Sequence, residues 1–131
     1  MAILGEPWTP LILRDLFIGI TRFDRLHDHL GVSRKVLAQR LNHLVTTGVV
    51  IKEAYSERPP RFDYVLTDKG WELCDVLLAV SAFGDRWLAG PAGPPATLRH
   101  RECGHTTDAQ LRCSHCSEPL RAASVEVTPL R

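Results

Sequence analysis

Hydrophobic residues between Thr21 and Thr47 recur at the spacing of two short helices. One face of the first helix is formed by Phe23, Leu26 and Leu30. Thr21 is expected to cap this helix, with Asp24 as its acidic capping partner, and Gly31 is expected to end it. Ser33 then caps a second helix across a single intervening residue. Two helices joined by so tight a turn are typical of a helix-turn-helix.

The second helix separates an apolar stripe from a face of hydrogen-bond donors. Its buried stripe is expected to consist of Leu37, Leu41 and Leu44. Its opposite face and flanks carry Arg34, Lys35, Gln39, Arg40, Asn42, His43 and Thr46. Such side chains contact phosphates and base edges, although any solvated helix can carry them. No acidic residue occurs between Asp28 and Glu53, which favours the interpretation that this face binds double-stranded DNA.

Two β-prone segments after these helices predict a hairpin, or wing. The first strand is expected to begin with Val49-Val50-Ile51, and the second is expected at Phe62–Leu66. The loop 56–61 between them should project, because prolines are poor members of a paired strand. Arg58 and Arg61 in this loop can reach phosphates, or they serve only to keep the turn solvated.

Apolar helices are predicted on both sides of this region. Thr9 is expected to cap a core helix that has Pro10 in its first position and ends at Gly19. A longer helix is expected to begin at Thr67. The apolar stripe of this helix is too long for a small domain to cover. We therefore expect it to pack against a symmetric partner chain or, alternatively, to fold back over the core of its own chain. The predicted contacts of a homodimer are Leu73, Leu77, Val80, Phe83 and Trp87.

Several short motifs in this order resemble the HxlR-type winged helix-turn-helix regulators of bacteria and archaea. The resemblance covers about residues 7–88 and rests on Arg22-Phe23, Gly31-Val32-Ser33, Arg40-Leu41, Gly48-Val49-Val50, Pro59, Tyr64, Leu66-Thr67 and Gly70. It implies a mainly α (α+β) fold with a two-stranded wing and a long C-terminal dimerisation helix. It also implies a homodimeric transcriptional repressor or activator.

The candidate DNA-binding residues follow from the helix pattern and this resemblance. They are Arg22, Ser33, Arg34, Lys35, Gln39, Arg40, His43, Arg58 and Arg61. Some members of the resembled family sense electrophiles through a cysteine near the N-terminus. None of the seven residues before Trp8 is a cysteine, so that route is not expected here.

Beyond the long helix, the Pro/Gly-rich run that starts at Gly90 predicts a linker. We expect a winged-helix domain at 1–89, a linker at 90–98 and a Cys/His-rich tail at 99–131. The paired spacing in the tail is that of a tetrahedral zinc site, with His105 as an alternative fourth ligand. The predicted metal ligands are His100, Cys103, Cys113 and Cys116.

A structural Zn²⁺ would stabilise a tail of about 30 residues that has too little apolar material for a core. A redox-labile thiol pair and inert cysteines are the alternatives that we keep open. Cys74, by contrast, is expected to be a small packed side chain in the long helix.

Composition narrows the remaining functional classes. The 131 residues carry a formal net charge of +1, so binding to nucleic acid depends on where the charges lie. No apolar run approaches the ~20 residues of a membrane span and no secretory signal is recognisable, which predicts a cytoplasmic protein. No phosphate loop or nucleophile elbow occurs, so we do not expect an enzyme, and no motif specifies a small-molecule effector. The alternative function is a protein-interaction module that docks a partner through its tail.

Overall fold

The computed structural model describes residues 2–130, which form four α-helices and two antiparallel two-stranded sheets. The helices are α1 (Thr9–Phe17), α2 (Phe23–Leu30), α3 (Arg34–Thr46) and α4 (Asp68–Trp87). The strands are β1 (Val50–Glu57), β2 (Pro60–Leu66), β3 (Leu98–Arg99) and β4 (Thr106–Thr107), and a short 3-10 turn covers Ala122–Ser124. The pairs are β1 with β2 and β3 with β4. The predicted winged helix-turn-helix is confirmed.

The turn between α2 and α3 forms as the sequence predicts. Gly31 ends α2 in the left-handed conformation, with a φ of 69°. Ser33 caps α3, and its Oγ accepts a hydrogen bond of 3.2 Å from the backbone N–H of Val36. These two residues fix where α3 begins and therefore which of its side chains face outward.

The predicted caps of α1 and α2 are wrong. Arg22, not Thr21, precedes α2, and it makes no side-chain cap. Thr21 instead donates a hydrogen bond of 2.9 Å to Asp63 Oδ1 on β2, because the fold brings that carboxylate to its hydroxyl. Thr9 is itself the first residue of α1, which follows Trp8 and ends at Phe17.

The core lies between α1, α2, α3 and the base of the wing. The buried stripe predicted for α3 is confirmed, because Leu37, Leu41 and Leu44 are fully buried. Full burial of such a side chain stabilises the fold by about 1.5–3 kcal/mol. Other fully buried apolar residues are Ile12, Leu13, Leu26, Val49 and Val50. This packing holds α3 by one face and leaves the opposite face in solvent.

The wing pairs further toward its tip than the sequence predicts. Its register runs from Val50 opposite Leu66 to Glu57 opposite Pro60, with an irregularity between Ala54 and Ser56. The predicted bounds of the loop, 56–61, are therefore wrong: only Arg58 and Pro59 lie between the strands, and residues 57–61 are all exposed. Pro60 is tolerated because it is the first residue of β2, where a missing N–H costs little.

The start of α4 is fixed by Thr67 and Gly70. The Oγ1 of Thr67 accepts a hydrogen bond of 3.2 Å from the Gly70 N–H and donates one of 2.6 Å to the Gly48 carbonyl oxygen. A Cβ at Gly70 would collide with the carbonyl oxygen of Val49. Glycine is therefore required for α4 to approach the backbone of Val49, just before β1, so closely.

The chain divides into two compact units between Leu77 and Leu78, within α4. The first unit contains the hydrophobic core. In the second unit, no residue from 88 to 130 is buried. The predicted limits at 1–89, 90–98 and 99–131 stay a prediction, and β3 already begins at Leu98. No helix in the described range 2–130 is long and apolar enough to cross a membrane.

Candidate nucleic-acid interface

The outward face of α3 carries the predicted reading side chains. Lys35, Gln39, Asn42 and Thr46 are all exposed, opposite the buried leucine stripe. Within residues 2–130, Lys35 forms no ion pair, so its ammonium group is available to a phosphate or a base edge. Exposure places these side chains where a duplex groove can reach them.

Arg34 at the first turn of α3 is exposed but paired. Its Nη1 donates a hydrogen bond of 2.9 Å to Asp24 Oδ1, and its guanidinium lies 5.8 Å from the centre of the Phe23 ring. The hydrogen bond and the positive charge of Arg34 lower the pKa of Asp24 from its ordinary value of 3.8. Only one nitrogen of the guanidinium is engaged, so other N–H donors of Arg34 stay open to a DNA phosphate, which the nearby Asp24 carboxylate would repel.

Two other predicted residues of α3 lie off the open face. The Nε of Arg40 donates to the Pro7 carbonyl oxygen at 2.8 Å, its Nη1 is 3.6 Å from Glu6, and its side chain is only 21% exposed. His43 is half-buried, and its Nε2 has no hydrogen-bond partner in the described part of the chain. Neither side chain joins the exposed set of Lys35 and Gln39.

The N-terminus of α3 adds donors for a phosphate. Ser33 is exposed, and the hydrogen bond that its Oγ accepts from Val36 leaves its hydroxyl hydrogen available for a further partner. The first backbone N–H groups of a helix also point outward and favour an anion. This end of the helix therefore suits a phosphate of the DNA backbone.

The wing presents the remaining predicted cations. Arg58 and Arg61 are exposed at its tip. Arg22, just before α2, stacks on the ring of Tyr55 at 4.0 Å, and its Nε lies 3.5 Å from Asp63. With 53% of its side chain exposed, Arg22 is held in one orientation but can still reach a ligand.

An open cleft of about 460 Å³ separates α2 from the wing. It is lined by the cationic residues Arg22, Arg25, Lys52 and Arg61 and by the aromatic residues Phe23, Tyr55, Phe62 and Tyr64, among others. Lys52 Nζ lies 4.5 Å from the centre of the Phe62 ring. Arg25, Lys52 and Tyr55 line this cleft but were not among the residues predicted from the sequence. Lys52 lies opposite Tyr64 across the two strands, a pairing that only the register of the wing reveals.

The apolar stripe predicted on α4 is not uniform. Leu73 and Leu77 are partly buried and pack against the core of the first unit. Val80, Phe83 and Trp87 are exposed by 59%, 55% and 72%. Fold-back onto the core thus accounts for the first part of the stripe, whereas the second part is an uncovered apolar surface.

The cysteines lie in two environments. Cys74 is buried in the core, as predicted, and burial raises the pKa of its thiol. Cys103 and Cys116 are exposed, and Cys113 is half-buried. Hydrogen bonds from the backbone N–H groups of Cys116 and His115 lower the pKa of the Cys113 thiol. Within residues 2–130, no three His, Cys, Asp or Glu side chains are gathered as a metal site.

Comparison with known proteins identifies the fold around this face. The profile of HxlR-like helix-turn-helix proteins matches residues 3–91. The chain belongs to that family. The HxlR-type resemblance drawn from the sequence is thereby confirmed, and α3 is the second helix of its helix-turn-helix motif.

Relatives match this HxlR-like chain over two different lengths. The uncharacterised HTH-type transcriptional regulator Rv3095 of Mycobacterium tuberculosis is 40% identical over 98% of this chain and 82% of its own. The crystal structure of PA1607, a candidate transcription factor, is 33% identical with a TM-score of 0.83 and covers 97% of this chain and 89% of its own. The reduced transcriptional regulator YodB of B. subtilis is 32% identical with a TM-score of 0.58, over 66% of this chain and 86% of its own.

Proposed function

We propose that this HxlR-like chain binds double-stranded DNA as a homodimer and regulates transcription in the cytoplasm without catalysing a reaction. The observation that carries the proposal is the exposed face of α3, on which Lys35 and Gln39 stand opposite a fully buried leucine stripe. Family membership and the names of the relatives support a DNA-binding regulator. They do not favour a module that has lost DNA binding and docks a protein through its tail.

In the proposed complex, α3 enters the major groove and the wing follows the backbone. Lys35 and Gln39 meet base edges, because their side chains extend from the exposed face. Ser33 and the N-terminus of α3 hold one phosphate, and Arg22, Arg58 and Arg61 contact others. The phosphate contacts orient the protein, whereas the base contacts select the sequence.

The homodimer is supported by the uncovered apolar surface at the end of α4. Val80, Phe83 and Trp87 recur at helical spacing on one side of the helix and remain largely exposed. Two copies of such a patch can cover each other about a two-fold axis. Two α3 helices would then read half-sites about 34 Å apart along the duplex.

Fluorescence anisotropy with the duplex upstream of the chain's own gene tests DNA binding. The logarithm of affinity should fall with the logarithm of salt concentration, with a slope of about −0.9 for each phosphate contact. Arg58→Ala or Arg61→Ala should weaken binding to all sequences about equally, whereas Gln39→Ala should change the preference among sequences. Arg121→Ala removes one charge from the tail and serves as the matched control.

Two results would contradict this assignment. Affinity that is indifferent to salt would exclude the phosphate contacts. If Gln39→Ala, Arg58→Ala and Arg121→Ala behaved alike, the division between a reading helix and a backbone-binding wing would be wrong.

Light scattering coupled to size exclusion tests the homodimer separately. Phe83→Glu should convert the dimer to a monomer, because it places a charge in the proposed apolar contact. Ser81→Glu adds the same charge about 160° away around the helix and should leave the dimer intact. A monomeric wild-type protein, or equal effects of the two variants, would contradict the proposed interface.

A further inference from the structure

The tail contains two short hairpins, each of which carries a six-residue loop. In the first hairpin, β3 pairs with β4 around the loop 100–105. In the second, Arg112 bridges to Pro119 around the loop 113–118, and the Leu120 N–H donates to the Leu111 carbonyl oxygen at 2.9 Å. Both loops thus begin and end on paired backbone.

The two loops share one pattern of backbone hydrogen bonds. The first residue of each loop donates to the carbonyl oxygen of the sixth, at 2.9 Å in one loop and 2.8 Å in the other. The fifth residue donates back to the carbonyl oxygen of the first, at 2.7 Å and 2.9 Å. The fifth residues, Gly104 and Ser117, both have a left-handed backbone, with φ of 74° and 65°. The loops are therefore two copies of the same turn.

This equivalence aligns the candidate ligands of the two loops. His100 takes the place of Cys113 as the first residue, and Cys103 takes the place of Cys116 as the fourth. His105, the alternative ligand, instead corresponds to Glu118 at the sixth position. The backbone hydrogen bonds thus favour His100 over His105 as the fourth ligand, a choice that the spacing of the residues alone left open.

The second loop has one further feature of a metal-binding turn. The backbone N–H of His115 points at Cys113 Sγ, at 3.4 Å. A hydrogen bond of this kind stabilises negative charge on sulfur and orients it. His115 contributes to this loop through its backbone N–H, whereas its side chain is exposed.

Apolar burial does not explain how the hairpins hold together. Each hairpin contributes only a few paired residues, and none of the residues from 88 to 130 is buried. Isolated hairpins of this size are at best marginally stable in water. Small units without a core usually need a disulfide or a metal, and all four cysteines of this chain are free thiols.

We propose that His100, Cys103, Cys113 and Cys116 bind one structural zinc ion and that His105 lies outside the ligand set. Three thiolates and one imidazole are a complete tetrahedral set for zinc. No group of three or more such side chains is gathered within residues 2–130, so the proposal requires the side chains of both loops to converge when the ion binds. Each cysteine releases its thiol proton to solvent when its sulfur coordinates the metal.

Metal analysis of the full-length protein, purified under reducing conditions and dialysed against metal-free buffer, tests the proposal. We expect one zinc per chain by mass spectrometry. Replacement of zinc by Co²⁺ should give the intense visible absorption of a tetrahedral site, together with a sulfur-to-cobalt charge-transfer band. Protein without stoichiometric metal, or with a Cys113–Cys116 disulfide instead, would overturn the proposal.

Single substitutions then test the ligand set. Cys103→Ser, Cys113→Ser, Cys116→Ser and His100→Ala should each weaken zinc binding by more than the ~10–100-fold cost of losing an outer-shell partner. His105→Ala, His115→Ala and Cys74→Ser are the matched controls and should retain one zinc. Circular dichroism of each variant checks that the winged helix remains folded. If His105→Ala lost the metal and His100→Ala kept it, the equivalence of the loops would be refuted.

Discussion

Within residues 2–130, the ten largest fully buried side chains lie between Thr9 and Val50, whereas no residue from 88 to 130 is buried. The winged-helix unit is therefore stabilised by apolar packing. The tail has defined turns and backbone hydrogen bonds but no core of its own. The difference teaches that regular local structure in a segment does not identify what stabilises that segment.

The largest expected effect comes from the same substitution made in both units. Leu41→Ala removes a fully buried side chain from α3 and should lower the free energy of unfolding by about 2–5 kcal/mol. Leu111→Ala removes a leucine side chain that is 63% exposed and should change the free energy of unfolding by less than about 0.5 kcal/mol. Urea denaturation measures both. Equal losses would mean that the tail has an apolar core after all.

A pair of glycine substitutions on α4 sharpens the comparison. Gly70→Ala should cost about 1–3 kcal/mol, because the new Cβ would collide with the backbone of Val49. Gly84→Ala meets no atom within 4 Å and should stabilise the helix by about 0.5–1 kcal/mol. Thermal unfolding separates the two outcomes by sign. A Gly70→Ala protein of unchanged stability would contradict the close packing of α4 on the backbone of Val49.

Removal of metal should affect only the tail, if the zinc proposal holds. We expect a chelator to increase amide hydrogen exchange in the segment 98–120. It should change the unfolding free energy of the winged-helix unit by less than about 0.5 kcal/mol. Added zinc should restore the protection. Loss of protection throughout α2 and α3 would show that the two units do not depend on separate means of stabilisation.

The smallest expected effect comes from an exposed charge pair in the first unit, Arg34 and Asp24. Because Arg34 lowers the pKa of Asp24, the pair's contribution to stability is present above pH 3.8 and is lost as the pH falls through the lower folded value. An NMR titration of the Asp24 carboxylate should give a midpoint below 3.8. Arg34→Ala should return that midpoint toward the ordinary value. An unchanged midpoint would contradict the pairing.

Local patterns predicted those parts of the fold that depend on near neighbours. The cap at Ser33 and the leucine stripe of α3 follow from residues three or four positions apart, and both are confirmed. The cap at Thr21 was wrong because its real partner, Asp63, is 42 residues along the chain. The pattern of residues along a helix cannot predict a hydrogen-bond partner that only the tertiary fold brings close.

The same reason explains what the sequence could not say about the site. The window without acidic residues showed that this face is basic, but it could not show which of its cations are paired. The fold brings Glu6 to Arg40 and Asp24 to Arg34, from outside that window. Lys35 and Gln39 kept their predicted exposure, because solvent faces them in any winged helix that buries the leucine stripe.

The contact between Asp24 and Arg34 gives the proposed DNA surface a built-in competitor. The Asp24 carboxylate holds Nη1 of the guanidinium at 2.9 Å, so a phosphate that binds the remaining N–H donors of Arg34 gains less than it would from an unpaired arginine. In the proposed complex, a single phosphate at Arg34 would therefore be bound weakly, whereas a duplex that aligns several phosphates at once would offset the repulsion from Asp24. A carboxylate in this position would lower the affinity for any single phosphate and favour a duplex that fits the whole surface.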